Sequence, residues 1–161
     1  MNEIEQEYLT FILDGEEFGV DILCVQELKV WSPVTEIPNT PDYLKGVVNL
    51  RGVIVPIVDL RERFDKQAID YNATTVVIIL RAVINNEQVV VGIVVDAVSD
   101  VYKVSEKDIR KAPDFGSHID SRFIKGMAAI EEKLIILLDS DKLLDVEQLY
   151  TINNSISKAA S

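Results

Sequence analysis

Apolar side chains along this chain fall in short runs bounded by turn residues, without the longer 3.6-residue rhythm of an amphipathic helix. Tyr8 to Leu13 is rich in aromatic and β-branched residues and stops at Asp14-Gly15, a two-residue hairpin signal, with Phe18 to Ile22 as the returning strand. Leu44 to Asn49 and Val53 to Val58 flank Leu50-Arg51-Gly52, where a glycine supplies a turn. Thr75 to Leu80 and Val89 to Val95 flank a turn near Asn85-Asn86, and Val98 to Val104 reads as a further strand. Ile124 to Ile130 and Leu134 to Leu138 flank Glu131-Glu132-Lys133. Helices are few. Asp59 with Glu62 fits a capping box opening a short helix that runs through Phe64, and Ser105 with Asp108 fits it more loosely. Asp145 with Gln148 could open a C-terminal helix carrying Val146, Leu149, Tyr150 and Ile152. Pro33, Pro38 and Pro41 predict an irregular loop, and the small polar tail after Ser155 should fray.

The strand pattern repeats. Residues 43–64 (YLKGVVNLRGVIVPIVDLRERF) align without a gap on residues 123–144 (FIKGMAAIEEKLIILLDSDKLL). Lys45, Gly46 and Asp59 meet Lys125, Gly126 and Asp139, and ten apolar positions, among them Tyr43, Leu50 and Ile57, meet apolar residues. Phe18-Gly19-Val20-Asp21-Ile22 resembles Val91-Gly92-Ile93-Val94-Val95 in the same way. Two copies are too few for a solenoid. The expected fold is mainly β: two lobes related by internal duplication, each about five short strands, enough for a small partly closed barrel.

Composition narrows the function. Sixteen basic against twenty-seven acidic side chains give a net charge of −11. Nucleic-acid binding draws its affinity from Lys and Arg on phosphates, and an anionic membrane surface repels an acidic protein, so proteins or neutral ligands are the expected partners. The longest uncharged runs are ten residues, short of a spanning helix, and the acidic N-terminus is unlike a signal peptide; a cytoplasmic location is expected.

The residues for chemistry are sparse. Cys24 is the single cysteine and His118 the single histidine, so no internal disulfide and no two-histidine metal site is possible in one chain. Cys24 sits in the run Ile22-Leu23-Cys24-Val25 and reads as a buried, inert thiol, and His118 reads as part of a polar loop. Asp139, Asp141 and Asp145 hint at a calcium loop, but the motif then requires an acidic or amide residue and a glycine where Leu143 and Leu144 stand. No phosphate-binding glycine loop or nucleophile elbow occurs. A non-enzymatic protein without metal or cofactor is expected.

Three segments carry a family resemblance: Phe18 to Leu23 with Val25-Gln26-Glu27 and Asn39-Thr40-Pro41, the unbroken run Lys45 to Arg61, and Val91 to Val101. Over about Tyr8 to Leu149 the chain resembles the bacterial chemotaxis coupling proteins of the CheW family. The resemblance implies one domain over 7–149 made of two SH3-like five-stranded barrels. Lobe 1 would span approximately 14–70 and lobe 2 approximately 71–144, with the N-terminal strand and a C-terminal helix packing across and 150–161 as a frayed tail. It implies a non-catalytic adaptor that couples the cytoplasmic tips of methyl-accepting chemoreceptors to the regulatory domain of the histidine kinase CheA, in arrays at the inner face of the membrane. At 161 residues, neither a kinase's phosphotransfer and ATP-binding domains nor the receiver domain of the related adaptor CheV is expected.

Carried over position by position, the resemblance marks Glu27 and Arg51 as bearing on receptor and kinase binding, with Val25, Val98 and Val101 linked to partners and Gly46, Gly52 and Gly92 matching further family positions. The residues have plainer readings as well. Glu27 and Arg51 could pair within the molecule, the three valines could be strand core, and the glycines could serve backbone geometry. Trp31-Ser32-Pro33 and Pro38 depart from the family pattern, and residues 82–88 form a longer hairpin. The alternative function is a two-lobed β domain binding a small molecule between its lobes. A hydrolase or transferase using Cys24 and His118 is a third reading.

Overall fold

The structure, a computed structural model, describes residues 5–84, 86–111 and 123–144. Ten strands form two five-stranded sheets. In chain order they are β1 (Glu5–Leu13), β2 (Glu16–Asp21), β3 (Val25–Val30), β4 (Leu44–Leu50), β5 (Val53–Asp59), β6 (Val76–Ile84), β7 (Glu87–Val95), β8 (Ala97–Ser105), β9 (Ile124–Ile130) and β10 (Lys133–Leu138). Two short helices follow the equivalent hairpins: α1 (Leu60–Arg63) after β5 and α2 (Ser140–Leu143) after β10. The first sheet has the order β8-β1-β2-β10-β9, the second β3-β6-β7-β5-β4. Both are antiparallel except for one parallel contact each, β2 with β10 and β5 with β7.

The four expected hairpins form, and so does the duplication. Gly19 pairs with Leu137 in the first parallel contact and Gly92 with Ile57 in the second, the same register in both copies. Asp59 N–H donates to the Tyr43 carbonyl and Asp139 N–H to the Phe123 carbonyl, again equivalent positions. Each sheet also curls toward closure through one bridge beyond its outer strand, Thr35 with Val47 and Arg110 with Met127. These are the two barrels.

A cut near residue 70 does not separate them. The hairpin β1–β2 lies in the sheet of β8, β9 and β10, and the hairpin β6–β7 lies in the sheet of β3, β4 and β5. Each copy of the repeat lends its first hairpin to the other copy's barrel. The pairing register is the same whichever copy supplies the hairpin, so sequence periodicity alone cannot show the exchange. β3 is a strand where the sequence suggests only an apolar segment. It carries an irregularity between Val25 and Glu27, as β8 does opposite Leu9 and Phe11. The extra residue shifts the pairing with β6 by one position, while burial still alternates along β3, with Val25, Glu27 and Lys29 half-buried and Gln26, Leu28 and Val30 exposed.

The core has three parts. The largest cluster draws on both sheets, with Leu9, Phe11 and Phe18 meeting Ile78, Leu80 and Ile93. Val55, Ile57, Val77 and Ile79 fill the second barrel, and Tyr8, Ile135 and Leu137 the first. An aromatic column crosses the shared cluster: Phe11 to Phe18 at 5.9 Å, Phe18 to Phe64 at 6.0 Å and Phe64 to Phe123 at 5.8 Å between ring centres.

The helix caps correct the expectation in part. Asp59 Oδ1 accepts from Arg61 N–H and Glu62 N–H, as a cap should. Glu62 does not reach back; its carboxylate pairs with Lys45 at 2.6 Å. The second Asp59 oxygen accepts from the Tyr71 hydroxyl at 2.6 Å, and Tyr71 packs on Trp31. Burial, then that bond to a carboxylate, pushes the Tyr71 phenol above its ordinary value. Ser105 precedes a 3-10 turn (Glu106–Asp108), but its side chain makes no cap bond. The expected C-terminal helix from Asp145 and the tail from 150 lie outside the described residues.

Asp96 joins the exchanged parts. It occupies the single position between β7 and β8, where the chain crosses from one sheet to the other. Its carboxylate receives Arg61 Nε at 2.8 Å and Nη2 at 2.7 Å from α1, and the Asp14 N–H at 2.9 Å from the β1–β2 turn. Burial opposes ionisation of this group, but the Arg61 and Asp14 bonds and the Arg61 charge together hold its carboxyl below the ordinary value of 3.8. A depressed carboxylate stabilises the fold above its unfolded pKa, and that contribution is lost as pH falls through the folded value. Asp96→Asn should therefore cost about 2 kcal/mol at pH 7, since it weakens hydrogen bonds to a charged partner. The difference from the parent protein should shrink below pH 3.8. Urea titrations at pH 7 and pH 3 check this, and an equal cost at both would refute the linkage.

Candidate functional site

Arg51 stands at the tip of the β4–β5 hairpin. Leu50 and Val53 are the last cross-strand pair, which leaves Arg51 and Gly52 as a two-residue loop. Both are left-handed, at φ 51° and 88°. This is the backbone of the hairpin turn whose twist matches the flanking strands, and it favours Asn-Gly. Gly52 adopts it freely, but an arginine there costs roughly 1–2 kcal/mol. Asn49, one residue before the closing pair, accepts the Gly52 N–H on its side-chain Oδ1 at 2.7 Å.

Glu27 lies on β3, paired with Ile79 of β6. β3 and β4 are the outer strands at opposite ends of the second sheet, so only the curl of the barrel brings Glu27 and Arg51 together. Arg51 Nη2 approaches Glu27 Oε1 at 3.0 Å, and Nη1 approaches Oε2 at 3.5 Å. The pairing foreseen as an internal contact therefore exists. Its side chains are 68% and 29% exposed, so its stabilising effect is small, about 0–1 kcal/mol. The arginine remains open to solvent, and Val53 and Ile54 beside it are exposed apolar residues.

The valines divide. Val25 pairs with Leu80 and Val98 with Phe11, equivalent places in the two sheets, and both pack half-buried against the shared core. Val101 is 43% exposed on β8, and its counterpart Leu28 on β3 is 47% exposed. The glycines divide too. A Cβ on Gly46 would stand 2.3 Å from the Thr35 carbonyl oxygen, and one on Gly92 would stand 2.6 Å from Ile57 Cδ1. These two glycines permit close packing at the barrel seam and at the parallel contact. Gly52 has open space around its Cα, and only its φ asks for glycine.

Cys24 is half-exposed, not buried as expected, because Ile22–Cys24 is a 3-10 turn crossing between the sheets and not a strand inside one. Burial raises its thiol pKa, the bond with Ser140 opposes that, and the Asp21 and Asp141 charges add smaller upward shifts, so the thiol stays protonated and unactivated. His118 lies outside the described residues. Beside Cys24 an open cavity of about 240 Å³ is lined by Lys125, Asp139 and Asp141, among others, on the first barrel. Among the described residues no three His, Cys, Asp or Glu side chains are placed to hold a metal ion, and no helix is long and apolar enough to cross a membrane.

Known proteins fit this geometry. The CheW-like domain family matches residues 7–148. The chain is 48% identical over 151 residues to the chemotaxis protein CheW of Klebsiella aerogenes, covering 94% of this chain and 89% of that protein. It is 37% identical over 143 residues to the chemotaxis protein CheW of Rhizobium meliloti, covering 89% and 90%. Among solved structures it resembles the scaffolding protein TtCheW of Thermoanaerobacter tengcongensis, with a TM-score of 0.78, 32% identity, and 90% of this chain and 96% of that chain covered.

Proposed function

This chain belongs to the CheW family of chemotaxis scaffold proteins, and we propose that it couples receptors to a kinase without catalysing a reaction itself. In this reading it bridges the cytoplasmic tips of methyl-accepting chemoreceptors to the regulatory domain of the histidine kinase CheA, working in the cytoplasm within receptor arrays. The observation that carries it is Arg51: an exposed guanidinium held at a strained hairpin tip, steadied from one side by Glu27 and flanked by exposed Val53 and Ile54. The left-handed backbone belongs to the hairpin turn, as it does at Asp14, Glu131 and Glu132, so it is the exposed guanidinium beside apolar neighbours that supports a binding role for Arg51. The planar fork suits a carboxylate on a partner helix, and the apolar neighbours suit its anchoring side chains. Val101 and Leu28 are further exposed apolar residues, on the two bulged outer strands. Gly46 and Gly92 contribute through the fold, and Gly52 through the turn.

Arg51→Ala and Glu27→Ala should each leave the fold intact and weaken the ternary complex of this protein, the kinase regulatory domain and a receptor-tip fragment. The expected loss is about tenfold for Arg51→Ala, the scale of a single well-placed contact, and less for Glu27→Ala. Sedimentation of the mixed components measures it. Unchanged assembly in both variants counts against this surface. Chemical-shift mapping with each partner in turn should show two distinct patches if the protein is a bridge, and one shared patch if the partners compete.

A further inference from the structure

The hairpin tips of this protein are built differently. Asp14 and Gly15 form the β1–β2 turn, with the Asp14 N–H bound to Asp96 across the molecule. Glu131 and Glu132 form the β9–β10 turn, both at positive φ. The position matching Asn49 in that copy is Ala129, which has no side-chain acceptor. Among the described residues, only at the β4–β5 tip does a side chain of the hairpin's own strand bind inside the turn: Asn49 Oδ1 to the Gly52 N–H at 2.7 Å. Asn49 is exposed, outside the barrel interior, so packing does not account for it. It does fix the peptide that follows Arg51, and with it the direction in which the arginine side chain leaves the strained turn.

We propose that Asn49 is a positioning residue for Arg51, holding the turn so that the guanidinium lies between Glu27 and the incoming partner. The inference rests on the partner-binding reading of Arg51 and adds a residue to it. Without the Asn49 acceptor the Gly52 N–H is left to water, the two-residue loop can relax toward other turn geometries, and Arg51 samples more directions. A partner must then pay to order it.

The test is a double-mutant cycle read as the affinity of the full-length protein for the kinase regulatory domain together with a receptor-tip fragment. Asn49→Ala should weaken the complex about fivefold, the size of one lost hydrogen bond. Asn49→Asp, which keeps the acceptor, should restore binding to within about twofold of the parent. In an Arg51→Ala background, Asn49→Ala should have no further effect, because there is no guanidinium left to orient. A purely structural role for Asn49 predicts the same loss in both backgrounds, and that result overturns the proposal, as does an Asp variant as weak as the Ala variant. If Arg51→Ala alone leaves binding unchanged, the binding surface itself is wrongly placed and both readings fall. If Arg51→Ala weakens binding and Asn49→Ala does not, only the positioning role fails.

Discussion

Phe64→Ala should destabilise this protein by about 3–5 kcal/mol, the usual cost of removing a buried aromatic ring. The melting temperature of a chain of this length should fall by roughly 10 °C. Phe64 ends α1, which belongs to the second sheet, yet its ring lies against Phe18 of β2 and against Phe123, just before β9. Both of those belong with the first sheet. Truncation therefore opens a cavity where the two barrels meet, and neither barrel can close it alone, because each is tied by its own hydrogen-bonded ladders. The adjacent Arg63 cannot fill it. Its guanidinium already lies 5.0 Å from the Tyr43 ring centre and 4.7 Å from that of Phe123, equivalent aromatics of the two repeats. Thermal and urea unfolding followed by circular dichroism measures the loss. Phe64→Leu, which keeps most of the volume, should cost much less, and equal losses for the two variants would show that the ring is not packed as described.

Gly46→Ala should cost about 3 kcal/mol, through overpacking and backbone strain together. Its φ is +149°, and the added methyl would stand 2.3 Å from the Thr35 carbonyl oxygen and 2.8 Å from Val34 Cγ2. That carbonyl accepts the Val47 N–H at 2.9 Å, and the Thr35 N–H donates to the Val47 carbonyl at 3.0 Å, so the obstruction is backbone held by two hydrogen bonds. The chain must give up the bridge that closes the second barrel or bend β4. Gly52→Ala meets nothing within 4 Å and carries only the cost of its positive φ, about 1 kcal/mol. Both glycines sit near Arg51 in sequence, and both substitutions should weaken partner binding. The Gly46 variant should do so mainly by lowering the folded fraction, the Gly52 variant by moving the tip. Equal melting temperatures for the two would contradict the close approach at Gly46.

Much of the fold is legible in the order of residues alone. The hairpins show because alternating apolar residues and two-residue turns are local signals, as at Asp14-Gly15. The duplication shows because the two copies meet the same packing demands at matching positions, such as Ile57 and Leu137. β3 does not show, because its inward positions are Val25, Glu27 and Lys29 while the apolar Leu28 and Val30 face outward, so apolar residues do not mark its inner face. Cys24 reads as core in a window of apolar neighbours, but the turn at the crossover points Leu23 into solvent and leaves the thiol half-exposed. Arg51 and Glu27 are recognisable by resemblance. Their contact is one of the readings that the residues leave open, and the curl of the sheet, which brings its two outer strands together, decides it. The left-handed backbone of Arg51 follows from the two-residue loop, and the exact pairing of Leu50 with Val53 is what sets that loop's length.

The sequence by itself determined every described strand but β3, the turns, the two-fold repetition and the family, because each is written in short windows or in the comparison of one window with another. The tertiary structure alone decided which barrel each hairpin completes, since either copy offers the same register and the choice depends on how the crossovers at Ile22–Cys24 and Asp96 run between the sheets. It also decided which glycines are needed for space and which for conformation. A missing side chain looks the same in sequence whether a carbonyl or open water lies where it would have been.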